Sequence, residues 1–145
     1  MSDLEPLVSA YAELYLQLMR TMDRRMAEQG ASLSRTKLLL CLQKRGPLRA
    51  TDIADFFSQS PRTVTEAIDG LERDGLVERK PDPDDRRAKF ISVTEKGLEA
   101  AAKTEPLRRQ LIEQTFGTLD AEERETLLRL LTKAATSLKT ADGTD

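Results

Sequence analysis

The residue types with the clearest recognition chemistry lie in two short segments, 60–66 and 85–87. The first reads Ser-Pro-Arg-Thr-Val-Thr-Glu and the second reads Asp-Arg-Arg. An arginine can donate two hydrogen bonds to a guanine edge, and threonine hydroxyls can contact phosphates or a thymine methyl group. A glutamate can accept from a cytosine amino group. These segments therefore indicate contact with nucleic acid rather than catalysis.

The residues that most enzymes and metal proteins need are scarce in this chain. Histidine is absent, and Cys41 is the single cysteine. Imidazole ligands and Ser-His-Asp or Cys-His pairs are therefore excluded, as are an intrachain disulfide and a cysteine zinc cluster within one chain. We expect no enzyme activity, no metal and no cofactor. We expect Cys41 to be a buried helix residue rather than a redox sensor.

The charge balance bears only weakly on a nucleic-acid partner. The net charge of the 145 residues is −2. Residues 34–93 carry 12 Lys or Arg and 10 Asp or Glu, a net charge of +2, whereas the remainder carries −4. Phosphate binding depends on where the cations point, so the local pattern outweighs the total. No apolar run has membrane-spanning length, and the first residues lack the pattern of a signal peptide, so we expect a cytoplasmic protein.

The spacing of apolar residues predicts a mainly α fold with a small antiparallel sheet. We expect six helices, at 4–29, 34–44, 50–57, 60–74, 94–116 and 120–139. Short strands are expected near Leu48, at 76–80 and at 88–93, and the connection PDPDDRR should form a projecting loop. Pro106 should kink or briefly break the fifth helix.

Several helix ends carry capping signals. Ser34 is the expected N-cap of the second helix, and Ser60-Pro61 marks the start of the fourth. Gly75 should end that helix in a left-handed conformation. Thr94 can cap the fifth helix, and Asp120 with Glu123 forms an acidic capping box for the sixth.

Helix 60–74 has one apolar and one polar side. The expected core residues are Val64, Ala67, Ile68 and Leu71, and the outward residues are Arg62, Glu66, Asp69 and Arg73, with Thr63 and Thr65 on the flanks. Two short helices of this kind describe a helix-turn-helix, whose second helix enters the major groove of DNA. The alternative is that Arg62 and Glu66 form only a surface ion pair.

The loop that follows can reach a neighbouring groove. Arg86 and Arg87 lie at its end, and Arg79, Lys80 and Lys89 flank it. An arginine on a projecting hairpin can enter a narrow minor groove, and Asp85 can orient the guanidinium of Arg87. The alternative is a solvated charge run, because the acids of the loop nearly cancel its bases.

The segment TDIADFFSQSPRTVTEAIDGLERDGLVERKPDPDDRRAKFISVTEKG resembles the MarR family of bacterial transcription regulators. The matching features are the run S-P-R-T-V-T-x-x-I-D-x-L-E-x-x-G-L-V-E-R, the D-x-R of the loop, and Val93-Thr94 followed by Glu95-Lys96-Gly97. The resemblance spans about residues 7–138. It departs from the pattern at Ser58, often a glycine, at Arg49, often a capping Thr or Ser, and at the bulky pair Phe56-Phe57.

The resemblance implies a single winged helix-turn-helix domain over residues 1–145 that forms a homodimer. Residues 34–93 would be the DNA-binding part, and residues 4–29 and 94–139 the dimerisation part. The major-groove candidates are Ser60, Pro61, Arg62, Thr63, Thr65 and Glu66. The wing candidates are Asp85, Arg86 and Arg87, with Arg87 in the minor groove. The phosphate candidates are Ser34, Arg49, Thr51 and Lys80.

The terminal helices support dimerisation independently of the resemblance. Apolar stripes run along residues 4–26 and along the last helix, where we expect Leu127, Leu128, Leu130, Leu131, Ala134 and Leu138 to be buried. The central module is too small to cover both stripes, so they should meet each other and a second copy. The alternative is a closed monomeric bundle.

We therefore expect a sequence-specific regulator of transcription, most simply a homodimeric repressor that reads a pseudo-palindromic operator. The alternative is a winged-helix interaction module, an antirepressor or adaptor that does not bind DNA. Family resemblance also implies release of DNA by a small aromatic or phenolic effector. Tyr11, Tyr15, Met19 and Met22 are candidates for its pocket and equally for the core, so no effector residue is assigned.

Overall fold

The computed structural model describes residues 3–143, which form seven α-helices and three β-strands. The helices are α1 (Glu5–Glu28), α2 (Leu33–Arg45), α3 (Ala50–Phe57), α4 (Pro61–Arg73), α5 (Glu95–Lys103), α6 (Glu105–Phe116) and α7 (Ala121–Ala141). The strands are β1 (Leu48–Arg49), β2 (Val77–Pro81) and β3 (Lys89–Val93). The mainly α fold with a small antiparallel sheet is confirmed.

The sheet has the order β1-β3-β2, and both pairings are antiparallel. In the β2–β3 hairpin, Val77 pairs with Val93 and Pro81 pairs with Lys89. The loop 82–88 therefore projects from the end of a registered two-strand ribbon, and this loop is called the wing below. Strand β1 fixes the other edge, where Leu48 pairs with Ile91.

The chain divides into two compact units, one that ends at Arg108 and one that begins at Arg109. The core of the first unit contains side chains from α2, α3, α4, β2, β3 and α5. Val64, Ile68 and Leu71 of α4 are fully buried in it. Since these three residues recur at helical spacing, burying them fixes which side of α4 faces outward. That outcome confirms the predicted faces of this helix, except that Ala67 is exposed.

The second unit contains α7, and the predicted burial along this helix is wrong for a single chain. None of the described α7 side chains is buried, and Leu128 and Leu138 are about two-thirds exposed. The capping box at its start is confirmed: the N–H of Glu123 donates to Oδ1 of Asp120 (2.8 Å), and the N–H of Asp120 donates to Oε1 of Glu123 (3.0 Å). The helix is thus well formed but presents its apolar side to solvent.

One predicted helix break is confirmed and one helix start is corrected. The predicted helix 94–116 is two helices, α5 and α6, separated at Thr104, and Pro106 lies in the first turn of α6. A proline is well tolerated in the first turn, where its missing N–H has no partner to lose. Helix α2 is capped by Ser32, whose Oγ accepts from the N–H of Arg35 (3.3 Å), and Ser34 lies inside it.

The turn between α3 and α4 keeps its left-handed geometry without a glycine. Ser58 has φ 52°, the one positive φ at a described residue other than glycine. Its N–H donates to the carbonyl of Asp55, and the N–H of Gln59 donates to that of Ala54. Such a turn ends α3 and places Ser60 at the start of α4.

None of the helices in residues 3–143 is both long and apolar enough to cross a membrane.

Candidate nucleic-acid interface

The start of α4 is set by Ser60 and Pro61. Oγ of Ser60 accepts from the N–H of Thr63 (3.1 Å) and donates to Oγ1 of Thr63 (2.8 Å). Pro61 occupies the first turn, where its fixed φ suits the helix. All six predicted major-groove residues, Ser60, Pro61, Arg62, Thr63, Thr65 and Glu66, are exposed. The first two turns of α4 therefore present an uncovered polar surface.

Arg62 is the most exposed cation of this surface. Its side chain is 90% exposed, and Nε lies 3.3 Å from Oε1 of Glu66. The predicted alternative, a surface ion pair, is thus present in the free protein. A pair this exposed is stabilised by only about 0.3–0.5 kcal/mol. A bidentate contact to a guanine discriminates by about 1–3 kcal/mol, so the ion pair is no obstacle to DNA contact.

Ion pairs hold α4 against its neighbours. Arg79 of β2 binds Asp69 (2.5 Å) and Glu72 (2.6 Å), and its side chain is only 20% exposed. Arg35 of α2 binds Asp74 at the end of α4 (2.6 Å). The hydrogen bond from Arg35 lowers the pKa of Asp74 below its usual range. Asp69 is exposed, as predicted, but it is paired with Arg79, so this arginine connects β2 to α4.

The wing presents two exposed arginines on a backbone that is ordered by a carboxylate. Oδ1 of Asp85 accepts from the backbone N–H of Arg87 (3.0 Å), and the carbonyl of Asp85 accepts from the N–H of Ala88 (3.1 Å). The predicted contact between Asp85 and the guanidinium of Arg87 is therefore replaced by a backbone contact. Arg86 and Arg87 are both exposed, so Asp85 shapes the turn while the guanidiniums stay available.

The first residue of the wing, Asp82, is buried, although the sequence did not single it out. Its side chain is 2% exposed, and it accepts hydrogen bonds from the N–H of Asp84 (2.9 Å) and from the guanidinium of Arg49. Mainly the N–H of Asp84, and then Arg49, lower the pKa of Asp82 against the opposing effect of burial. Arg49, predicted to contact phosphate, is thus already paired with a buried carboxylate, although its own side chain is 41% exposed.

The other predicted phosphate contacts are exposed. Ser34 lies near the start of α2 and shares a hydrogen bond with Ser32 (Oγ to Oγ, 3.0 Å). Thr51 lies in the first turn of α3. Lys80 is 65% exposed and lies 3.1 Å from Oε1 of Glu78. Their solvent exposure is compatible with DNA contact but does not test it.

A groove in the first unit lies beside α4. It measures about 830 Å³ and is lined by α1, α2, the turn after α3 and α4. Tyr15 and Met19, two of the four candidate pocket residues, line it. Met22 is buried and Tyr11 is exposed. Thr63 also lines the groove, so the groove extends from α1 to the exposed start of α4.

Comparison with known proteins decides what this architecture is. The family model "MarR family" matches residues 32–89. The HTH-type transcriptional regulator YwhA of Bacillus subtilis, itself uncharacterized, is 31% identical over 121 residues, which cover 83% of this chain and 87% of YwhA. The chain belongs to the MarR family. It is therefore a DNA-binding regulator of transcription and not an enzyme.

Solved structures confirm the fold of this MarR-family chain. Sco3205 of Streptomyces coelicolor, a MarR family transcriptional regulator crystallised in complex with DNA, aligns with a TM-score of 0.81 at 24% identity, covering 96% of this chain and 89% of Sco3205. BpsR of Bordetella bronchiseptica, whose DNA binding is regulated by 6-hydroxynicotinic acid, aligns with a TM-score of 0.77 at 22% identity, covering 91% and 94%. At these identities the likeness concerns the winged-helix architecture.

The MarR-like motif TEKG gains a physical explanation that sequence reasoning lacked. Gly97 lies in the first turn of α5, and a Cβ placed there would overlap the carbonyl oxygen of Leu76. Nearby, Oγ1 of Thr94 donates to the carbonyl of Gly75 (2.6 Å) and accepts from the N–H of Gly97 (3.1 Å). The motif therefore allows the start of α5 to pack closely against the turn that leads into the β2–β3 hairpin.

Proposed function

We propose that the protein is a homodimeric, ligand-responsive repressor that reads a pseudo-palindromic operator. Helix α4 would enter the major groove, with Arg62 as the principal base-reading residue, and the wing would place Arg87 in the adjacent minor groove. The proposal rests on two exposed features of the same unit: the polar first turns of α4, and two arginines on an ordered wing. Both are positioned by one small sheet and one core.

The contacts divide into those that read bases and those that position the protein. Arg62 can exchange its exposed pair with Glu66 for a guanine edge, and Glu66 can then accept from a cytosine amino group. Thr63 and Thr65 would contact phosphates or a thymine methyl group. Arg87 would respond to groove width and negative potential rather than to a base pattern. Loss of Arg62 should thus alter sequence preference, whereas loss of Arg87 should weaken binding to all sequences.

Exposed apolar faces support the homodimer. Leu7 and Tyr11 of α1 are more than 60% exposed, and Leu128 and Leu138 of α7 are about 70% exposed. Large side chains that recur along a helix and face water are typical of an association surface. A second copy related by twofold symmetry would cover them and place two α4 helices in successive major grooves of one DNA face.

The groove beside α4 supports regulation by a small ligand. It combines Tyr15 and Met19 of α1 with the cations Arg20 and Lys37, with Arg35, which also binds Asp74, and with the acid Asp23. An aromatic ring beside an excess of cations suits an aromatic acid or a phenol. The regulation of BpsR by 6-hydroxynicotinic acid sets a precedent in a protein of this fold. A ligand there lowers DNA affinity only if it binds better to a state whose α4 helices are wrongly spaced.

Exposed acids on α4 would favour an adaptor that does not bind DNA, but two of them form ion pairs with arginines of the same chain. Asp69 binds Arg79, and Glu66 binds Arg62. Repression needs no further surface, because occupancy of a site that overlaps a promoter blocks transcription by itself. A reporter with the selected site between promoter and gene tests this directly: expression should fall when the protein is supplied, and activation would refute repression.

Selection from random duplexes followed by affinity measurement tests the contacts. Arg87→Ala should weaken binding to selected and scrambled duplexes by the same factor. Arg62→Ala should also reduce the difference in binding free energy between the two duplexes, by about 1–3 kcal/mol. Lys103→Ala, which removes an exposed cation from the end of α5, is the charge-matched control and should leave this difference unchanged. Affinity that did not fall with rising salt would refute DNA binding through phosphate contacts.

A further inference from the structure

One guanidinium joins three segments of the winged helix. Arg49 is the residue before α3, and its own N–H donates to Oδ2 of Asp52 (3.2 Å). Its side chain binds Asp82 at the base of the wing, and Cζ lies 5.5 Å from the centre of the Phe90 ring in β3. Because Arg49 and Phe90 are also paired across the sheet, the guanidinium lies where β1, β3 and the wing meet.

The partner of Arg49 is the most enclosed carboxylate of the wing. Asp82 is 2% exposed, whereas the nearby acids Asp84 and Asp85 are exposed. It closes the base of the wing in two ways: its N–H donates to the carbonyl of Ala88 (3.1 Å), and its Oδ1 accepts from the N–H of Asp84 (2.9 Å). A buried carboxylate needs a cation, since an unpaired charge is strongly disfavoured away from water.

We propose that Arg49 is a positioning residue for the wing and not a phosphate contact. Its ion pair with Asp82 fixes the base of the wing to the start of α3, so that Arg86 and Arg87 keep a set position relative to α4. This inference rests on the proposed function, in which α4 and the wing bind one duplex together. The hydrogen bonds of Asp85 within the wing order the turn itself, but they do not join it to the helix-turn-helix.

The two roles predict opposite effects at Asp82. If Arg49 were a phosphate contact, neutralising Asp82 would remove a competing anion and tighten DNA binding. If Arg49 positions the wing, Asp82→Asn removes the same ion pair as Arg49→Ala and weakens DNA binding. A residue that acts through the wing must also lose its effect once the wing arginine is absent, whereas an independent phosphate contact keeps its full effect.

The experiment is a set of duplex affinities for Arg49→Ala, Asp82→Asn and their double variant, each made with Arg87 present and with Arg87→Ala. Each single variant should weaken operator binding about three- to thirtyfold, and the double variant should be no weaker than the weaker single. In the Arg87→Ala background each change should shrink to less than about twofold. Glu99→Gln, which removes one exposed acid from α5 outside the named interface residues, is the charge-matched control for Asp82→Asn and should have no effect.

Three outcomes separate the possibilities. Tighter binding by Asp82→Asn, or an Arg49→Ala effect that multiplies with that of Arg87→Ala, overturns the positioning role. A salt slope lowered by about 0.9 in Arg49→Ala alone, as for one lost phosphate contact, also overturns it. If Arg87→Ala itself binds as tightly as the unchanged protein, the proposed wing contact fails instead. Where Arg49→Ala lacks the native circular-dichroism spectrum, Arg49→Lys, which keeps the charge without the guanidinium fork, takes its place in each comparison.

Discussion

Replacing Gly97 by alanine should destabilise the fold, although alanine is the better helix former. A Cβ at this position would overlap the Leu76 carbonyl oxygen and lie 2.8 Å from Cγ2 of Val93. The latter is about 0.7 Å inside an optimal carbon–carbon contact. Leu76 cannot retreat freely, because its carbonyl also accepts from the N–H of Thr94 (3.1 Å). The backbone of α5 or of the hairpin must therefore move.

The size of the effect follows from opposing contributions. Overpacking against backbone costs about 1–3 kcal/mol, and loss of the Thr94 hydrogen bond costs about 1 kcal/mol. Alanine recovers at most about 1 kcal/mol through helix propensity. The free energy of unfolding should fall by about 2 kcal/mol. Gly70→Ala is the matched control, because its Cβ would lie 3.1 Å from the end of the flexible Arg35 side chain and the change should be neutral or stabilising by up to about 1 kcal/mol.

Urea unfolding monitored by circular dichroism measures both variants. The protomer concentration must be the same throughout, because dimerisation makes the midpoint depend on it. We expect the Gly97→Ala midpoint to lie below that of the unchanged protein and the Gly70→Ala midpoint at or above it. Equal midpoints for the two variants would refute the close approach of α5 to Leu76 as the reason for the glycine.

Three further predictions concern single positions. Ser58→Gly should raise the free energy of unfolding by about 0.5–1 kcal/mol, because Ser58 has φ 52° and glycine adopts this conformation without strain. The control Ser58→Ala should give no such gain in the same urea titration. Burial raises the pKa of Cys41, so a thiol reagent at pH 8 should modify the native protein far more slowly than the urea-unfolded protein, and equal rates would contradict the burial. Arg35 lowers the pKa of Asp74, so the stability that Asp74 adds should be complete above its unfolded pKa of about 3.9 and lost as the pH falls through the lower folded pKa. In thermal melts, Asp74→Asn should therefore reduce the fall in melting temperature at acid pH. An unchanged fall would show that the ion pair does not form.

Local signals predicted most of the elements that carry the interface. Ser60 with Pro61 marks a helix start through two independent preferences, a side-chain acceptor and a fixed φ, and the structure confirms it. Gly75, with φ 76°, follows the end of α4 as predicted. Ser34 was chosen wrongly over Ser32 because both serines suit an N-cap, and local preference cannot decide between them.

The side-chain partners were less accessible to prediction, because they join residues far apart in the chain. Asp82, Asp84 and Asp85 look alike in the sequence, yet only Asp82 is buried, since it alone lies under the guanidinium of Arg49. Arg79 resembles a wing cation until its strand register brings it to the acids of α4. Such pairings depend on tertiary geometry, which neither periodicity nor capping preference encodes.

These pairings also explain how a weakly acidic chain presents a DNA-binding face. Several acids of the segment 60–93 are held by cations within the first unit: Asp69 and Glu72 by Arg79, Asp74 by Arg35, and Asp82 by Arg49. The pairs of Arg35 and Arg49 are neutral and the Arg79 group carries a charge of −1, whereas Arg86 and Arg87 are exposed on the wing and Arg62 shares only an exposed pair with Glu66. The net charge of −2 should slow the long-range approach to DNA, whereas in the proposed binding mode the placement of these three arginines decides where on the duplex the protein binds.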